Sequence, residues 1–457
     1  AYLSVKPTSI TFSYLPSEDV ISVNSNIEFH VNSSQEWCKA NKTGSQLIIK
    51  VTENENAKQR TAVVTVFAEE VPSIDINITQ NGTNPVFTVD YEDLIQQFSS
   101  EKESRLFRVE TNIDFEVKST EGWCKAEVLN SSKHNLQIAV DKNNEISSRE
   151  AELILSANGF DDIVMIVEQE GFLPNKQGMK IKGWVSCNDV GVPNVVVSDG
   201  HDVTKTDENG VYYLPSDKRN RFVFVSIPGN YEVANKGKAP QFFKKLSGNK
   251  NVVERHDFEL FKTDNNDHIV LTMADIHLAK RVDDLAQFET FLKDINENIT
   301  KYELQGKKVY GLTLGDLSWD TYWYTNNFTI KDYVPYMNKI NAPVFNTMGN
   351  HDNDPYGAGD WLAEQYYCDI IGPNYYSFNL GKIHYVVLDD IVYHNTGGGP
   401  GVSGNRNYDG QITKEQVDWL ENDLNMIEDK TTPMVVALNI PVFTAPNLTN
   451  SANYRIG

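Results

Sequence analysis

The feature that most constrains this 457-residue chain is a tandem repeat in its first third. Asn26-Ile27-Glu28-Phe29 returns as Asn112-Ile113-Asp114-Phe115, and Glu36-Trp37-Cys38-Lys39-Ala40 returns as Gly122-Trp123-Cys124-Lys125-Ala126, both at an offset of 86 residues. Each copy continues through an alternating run (Leu47 to Val51, Leu136 to Val140) and a polar turn with Arg60 or Arg149. Each closes on a β-rich run ending Gln80-Asn81-Gly82 or Gln169-Glu170-Gly171. Period-two alternation, β-branched residues and polar turns at short intervals predict two β-sandwiches. Trp37 and Trp123 stand at the same point of each copy, which suits core tryptophans better than exposed ones.

From Met179 the pattern changes but stays β. Lys180 to Val185 reads as a strand, and Thr206-Asp207-Glu208-Asn209-Gly210-Val211 as a hairpin, since Asn-Gly supplies the positive φ of a tight turn. Asp199, His201, Asp202, Asp207 and Glu208 read as turn-forming, solvated groups. Beyond Asp267 the rhythm becomes strand–helix–strand. His268 to Ala274 is an apolar-rich run expected to be buried on both faces, and Leu285, Phe288, Leu292, Ile295 and Ile299 follow at helical spacing. Further strands are expected at Lys308 to Leu314, Pro343 to Met348, Ile383 to Leu388 and Met434 to Leu438. Thr413-Lys414-Glu415-Gln416 has the form of a capping box, opening a helix with Val417, Leu420, Leu424 and Ile427 on one face. A chain this long exceeds one core, so the expected architecture is multidomain: three all-β sandwiches followed by an α/β layered domain.

A net charge of −22 argues against a nucleic-acid or anionic-membrane partner, which excess Lys and Arg would bind. No run of about 18 apolar residues is present to span a membrane, and Ala1 to Val5 lacks the basic and apolar regions of a signal peptide. The four cysteines, Cys38, Cys124, Cys187 and Cys368, fall in separate modules and are read as small buried apolar residues.

The polar residues that matter stand at strand carboxyl ends, where open α/β sheets place ligands. Asp275-Ile276-His277 follows the first strand; extended backbone two residues apart would aim both side chains to one side. Gly315-Asp316 ends the second strand, with a carboxylate free to bridge two metals. Gly349-Asn350-His351-Asp352 ends the third, where the Asn350 carbonyl oxygen can serve as a ligand. Each piece alone is common; their order and strand-end context together point to a metal site.

Three resemblances follow from these residues. The Trp-Cys-Lys-Ala and Gln-x-Gly segments resemble BACON domains, over 1–83 and 84–172, which implies glycan or mucin contact. Residues 173–262 resemble the transthyretin-like or carboxypeptidase-regulatory β-sandwich. Residues 263–457 resemble the calcineurin-like metallophosphoesterases, supported also by Gly381 to Asp389. That last resemblance implies a metal-dependent phosphoric ester hydrolase with two divalent ions, Mn, Fe or Zn. Asp275, His277 and Asp316 would hold one ion, and Asp316 and Asn350 part of the second. It implies a metal-bound hydroxide as nucleophile, with His351, oriented by Asp352, as general acid. The expected substrate is a phosphorylated small molecule or a glycan-linked ester. The expected location is extracytoplasmic, periplasm or outer surface, with lipid anchoring left open.

Two departures stand against the pattern. Asn439, in Leu438-Asn439-Ile440-Pro441, occupies the place of an expected histidine, and an amide binds a transition metal more weakly than imidazole. The expected Gly-His-x-His loop is not found before Gly457, and none of the nine histidines follows His394, so the domain reads as truncated. A second reading therefore stands beside the first: a catalytically impaired phosphoesterase fold serving as a surface carbohydrate-binding or spacer protein.

Overall fold

The computed structural model describes residues 1–131 and 133–441. Its first compact unit is Ala1–Phe172 and its second begins at Leu173.

In the first unit, each repeat forms two facing sheets. The first copy sets Leu3–Lys6, Ser17–Ser25, Gln46–Val51 and Cys38–Thr43 against Ser9–Phe12, Val71–Gln80, Arg60–Ala68 and His30–Ser33. The second repeats this plan, down to one parallel pairing: Ile95–Phe98 runs along Ile163–Gln169 as Ser9–Phe12 runs along Val71–Gln80. Alternation carries Leu47, Ile49 and Val51, and Leu136, Ile138 and Val140, into the cores.

The repeated motifs have one physical explanation. The Arg60 guanidinium lies 4.3 Å from the Trp37 ring centre and donates from Nε to Gln80 Oε1 at 2.9 Å. Arg149 does the same with Trp123 (4.2 Å) and Gln169 (2.8 Å). Both glutamines are fully buried and donate to main-chain carbonyls, Gln80 to Thr52 and Gln169 to Asp141. The tryptophans are thus covered by arginine rather than presented as bare platforms. Gly82 and Gly171 are glycine because a Cβ would lie 1.9 Å from the Ala57 carbonyl oxygen and 1.8 Å from that of Ile146. All four cysteines are free and buried.

In the second unit, the sandwich built on Ile181–Cys187 and Phe222–Ser226 shares a continuous apolar core with the α/β layers: Val225, Phe242 and Leu260 pack with Phe345, Phe378, Val386 and Trp419. The hairpin turns at Gly210 (φ 77°), whose N–H bonds the Asp207 carbonyl at 2.9 Å. Asp199 Oδ1 accepts the His201 and Asp202 N–H groups, so it is a turn former as expected, but it is buried rather than solvated.

The α/β part holds a parallel sheet of His268–Met273, Lys308–Thr313 and Val344–Phe345. A second sheet pairs Tyr376–Leu380, Ile383–Val387 and Met434–Ala437. Helix α1 (Asp284–Glu303) buries Phe288, Leu292, Ile295 and Ile299, the stripe its spacing predicts. The short helices α2 (Asp320–Trp323) and α3 (Ile330–Met337) follow the second strand, and α4 (Asp360–Ile370) the third. Two expectations are corrected. The strand His268–Met273 is mostly half-buried, because it stands at a sheet edge among the described residues. Helix α5 (Lys414–Asn425) is capped by Thr413, but its buried face is Gln416, Trp419 and Asp423. Gln416 pairs with the N–H and carbonyl of Asp389 instead of closing a capping box, and that bond turns the helix.

One buried ion pair stitches the sandwich. Lys218, with no exposed side-chain surface, bonds Glu254 and the carbonyls of Asn249 and Val252. Burial opposes the Glu254 charge, but Lys218, Ser247 and His256 outweigh it and hold the carboxyl down at about 2. A depressed carboxyl stabilises the fold above its unfolded value of 4.5 and loses that contribution as pH falls toward about 2. Glu254→Gln leaves the lysine charge buried without its partner, and calorimetry of the full chain at pH 7 should show the second unit destabilised by ~3–5 kcal/mol. The difference from wild type should shrink below pH 4.5.

Candidate metal centre

Three loops leaving the parallel sheet converge. The first is not extended as the Asp-x-His spacing suggested: its strand ends at Met273, and Asp275 (φ 50°) and His277 (φ 48°) both sit in left-handed backbone. Main-chain bonds fix this loop, His277 N–H to Asp316 O at 2.8 Å and Leu278 N–H to Leu317 O at 3.2 Å. The turn, rather than the pleat, aims the imidazole. Asp316 is also left-handed (φ 51°), after Gly315 at φ 85°. Such conformations cost L-residues free energy and persist where surrounding structure over-determines them.

Close approach then depends on Gly349. A Cβ there would lie 2.3 Å from Asp316 N and 2.4 Å from Asp316 Oδ1. Without it, Asp316 Oδ1 accepts the His351 N–H at 2.9 Å, while Oδ2 lies 3.4 Å from His277 Nε2. One ligand atom each from His277, Asp316 and His351 lies within 4.8 Å of the others. Asp275 Oδ1 is 3.7 Å from His277 Nε2, on a side chain open to solvent. Asn350 is buried at the start of the single turn Asn350–Asp352 that carries His351.

The 3.4 and 3.7 Å separations of His277 Nε2 from Asp316 and Asp275 are longer than ordinary N–H···O hydrogen bonds and leave room for a cation, whose N and O ligands stand at about 2.0–2.2 Å. His277 Nδ1 is buried without a hydrogen-bond partner. Imidazole and carboxylate donors of this kind suit Mn, Fe or Zn. The residues fit a transition metal.

Hydrogen bonding around the cluster distinguishes two carboxylates near His351, Asp320 and Asp352. His351 Nδ1 bonds Asp320 Oδ1 at 2.8 Å, and Asp320 Oδ2 accepts from Arg406 at 3.1 Å. The carboxylate orienting His351 is therefore Asp320, not Asp352. Asp352 faces the other way, accepting the N–H groups of Leu317 (3.1 Å), Ser318 (3.0 Å) and Gly349 (3.0 Å), so it ties the second loop to the third. Burial, then the charge of Asp316, pushes Asp352 up to about 7 against those donors. Burial also raises Asp316. For His351, burial lowers the pKa, but the Asp320 hydrogen bond and the Asp316 charge outweigh it and the shift is upward.

Asp320 and Arg406 were missed. Asp320 had a signal, a second carboxylate in Gly-Asp-Leu-Ser-Trp-Asp that opens α2; Arg406 comes from a distant loop and had none. Asn439 does reach this site. Its amide donates to Leu314 O at 2.9 Å and would meet a Cβ at Gly315 at 2.6 Å, while Asp390 accepts the Asn439 and Ile440 N–H groups. Trp319 shields the histidines, its ring 4.8 Å from His277 and capped by the Arg281 guanidinium at 4.6 Å. The other histidines are engaged elsewhere: His268 with Tyr385, His384 with Asp423, His394 with Asp409.

Comparison with known proteins identifies the modules of the chain. Residues 268–455 match the family model described as calcineurin-like phosphoesterase, and 179–263 match the N terminal of calcineurin-like phosphoesterase. Residues 28–81 and 113–170 match the BACON model. A curated relative, the xyloglucan-specific endo-beta-1,4-glucanase BoGH5A of Bacteroides ovatus, is 36% identical over 77 residues, 16% of this chain and 15% of the relative. Among solved structures, a Bacteroides ovatus GH5 xyloglucanase in complex with a XXXG heptasaccharide is 31% identical, covering 21% of this chain and 22% of that one at TM-score 0.17. Titin Ig tandem domains align with 10% identity, 37% and 97% coverage and TM-score 0.25.

The glycine constraint is testable. Gly349→Ala should leave the fold intact but displace Asp316, and calorimetric titration with Mn²⁺ should show affinity reduced at least about tenfold, the scale of a lost supporting contact.

Proposed function

We propose that this chain, a multidomain member of the calcineurin-like phosphoesterases carrying BACON domains, hydrolyses phosphoric esters in a metal-dependent reaction. The observation that carries the reading is the convergence of His277, Asp316 and His351 within 4.8 Å, with Asp320 behind His351. A divalent cation bound there supplies Lewis acidity, drawing charge from phosphoryl oxygens and acidifying water.

The chain's own residues do the rest. His277 and Asp316, with Asp275 at the open side, would hold the cation, and Asn350 with Asp316 would serve a second. Because Nδ1 of His351 is taken by Asp320, Nε2 is the nitrogen that delivers a proton to the leaving oxygen as the P–O bond breaks. Asp320 stabilises the imidazolium before that transfer, and Arg406 holds Asp320 in place. The substrate we favour is a phosphorylated small molecule or glycan-linked ester, met outside the cytoplasm. The BACON modules support that location and a carbohydrate contact, although each of their half-buried tryptophans carries an arginine over its ring.

The second reading, an impaired enzyme acting as a binding or spacer protein, is favoured by Asn439. With its amide donating to Leu314, it is a weak substitute for an imidazole ligand.

With an aryl phosphate and Mn²⁺, the full chain should turn over, and His351→Ala should lower kcat by about 10²–10⁴-fold. Asp320→Asn should lower kcat with little change in KM. No metal-dependent turnover by the wild type would contradict the enzymatic reading. Asn439→His should raise both bound metal per chain and the rate; an unchanged metal content would remove Asn439 as the cause of weak binding.

A further inference from the structure

A cavity of about 320 Å³ lies between the sandwich and the α/β layers of the second unit, and it shares no lining residue with the metal centre. Its volume falls at the lower end of the ~300–1,000 Å³ range of small-molecule sites.

The walls are built and held. Across the junction, Tyr375 Oη donates to the Gly200 carbonyl at 2.8 Å and accepts from Asn220 at 2.9 Å. A Cβ at Gly200 would lie 2.7 Å from Asn220 Nδ2 on its own side and 3.1 Å from Tyr375 Oη across the junction, so glycine is what admits the tyrosine. On the α4 side, the Arg221 guanidinium sits 3.4 Å from the Trp361 ring centre, donates to the Trp361 carbonyl, and donates to Glu364 Oε2 at 3.3 Å. One arginine thereby fixes an aromatic ring and a buried carboxyl together. Trp361 is nevertheless 51% exposed. A tryptophan immobilised on one side and left half in solvent is poorly explained by packing, since rings of this size are mostly kept for burial.

The chemistry of the wall selects among ligands. Both arginines that line it are already paired, Arg219 with Asp217 and Arg221 with Glu364. The wall also carries Asp199, Asp360, Glu364 and Glu415, so an anionic ligand would meet more carboxyl groups than guanidinium groups. What remains is a fixed, half-exposed ring beside the carboxyl acceptors Asp360, Glu364 and Glu415, because the Tyr375, Asn220, Asn374 and Gln416 donors are engaged within the protein. Sugar hydroxyls donate to such acceptors, and the C–H face of a saccharide ring matches the tryptophan.

We infer that this cavity is a second ligand site, which takes a neutral saccharide of one or two rings. The inference stands apart from the phosphoryl chemistry and uses none of its residues.

Saturation-transfer NMR and calorimetry on the full chain, with glucose, galactose, N-acetylglucosamine, maltose and cellobiose as probes, test it. At least one should bind, Trp361→Ala should weaken it about tenfold, and Trp361→Phe should restore most of the affinity while reporting that the fold is kept. Absence of binding by all five would overturn the inference. So would wild-type affinity in Trp361→Ala, which would place the saccharide elsewhere, in the BACON modules for example. Tighter Trp361-dependent binding of glucose 6-phosphate or glucosamine would overturn the assignment of a neutral ligand.

Discussion

The Asp316 carboxylate and the backbone of Gly349 compete for nearly the same space: a Cβ at 349 would stand 2.4 Å from Oδ1. Everything at the metal centre follows from resolving that competition with a glycine. The third loop can then lie against the second, the His351 N–H can hold one oxygen of Asp316, and the other oxygen is left facing His277. Asp352 secures the same junction from behind through three main-chain N–H groups. A carboxylate that is buried and positioned this way is costly without a counter-charge, and a cation is the natural one.

The division of labour between adjacent acids is the chemical lesson of the site. Asp320 and Asp352 both stand near His351, yet only Asp320 touches its ring. One bonds the imidazole; the other ties main chain together. Sequence adjacency favoured Asp352, and adjacency misleads here because a one-turn helix sends successive side chains to different sides.

Much of this was legible in the residues, for identifiable reasons. The repeat gave the paired sandwiches because Trp37, Arg60 and Gln80 form one interaction that Trp123, Arg149 and Gln169 must reproduce. The strand-end motifs gave the three loops because glycine at 315 and 349 is demanded by backbone and by contact. Less legible was whatever depends on distant partners. Arg406 reaches Asp320 across 86 residues, and the α5 face turned because Gln416 found the Asp389 main chain. The first strand misled through its apolar composition, since its burial depends on neighbours that periodicity does not report. The left-handed turns at Asp275 and His277 replaced the expected extended geometry: His277 joins Asp316 and His351, while Asp275 stands on the solvent side of that cluster.

Diffraction from crystals grown with manganese, measured at the manganese absorption edge, tests the central claim most directly. The account predicts an anomalous peak within bonding distance of Asp316 and His277. A well-ordered site showing only water at those atoms would contradict it, leaving a phosphoesterase fold without its chemistry.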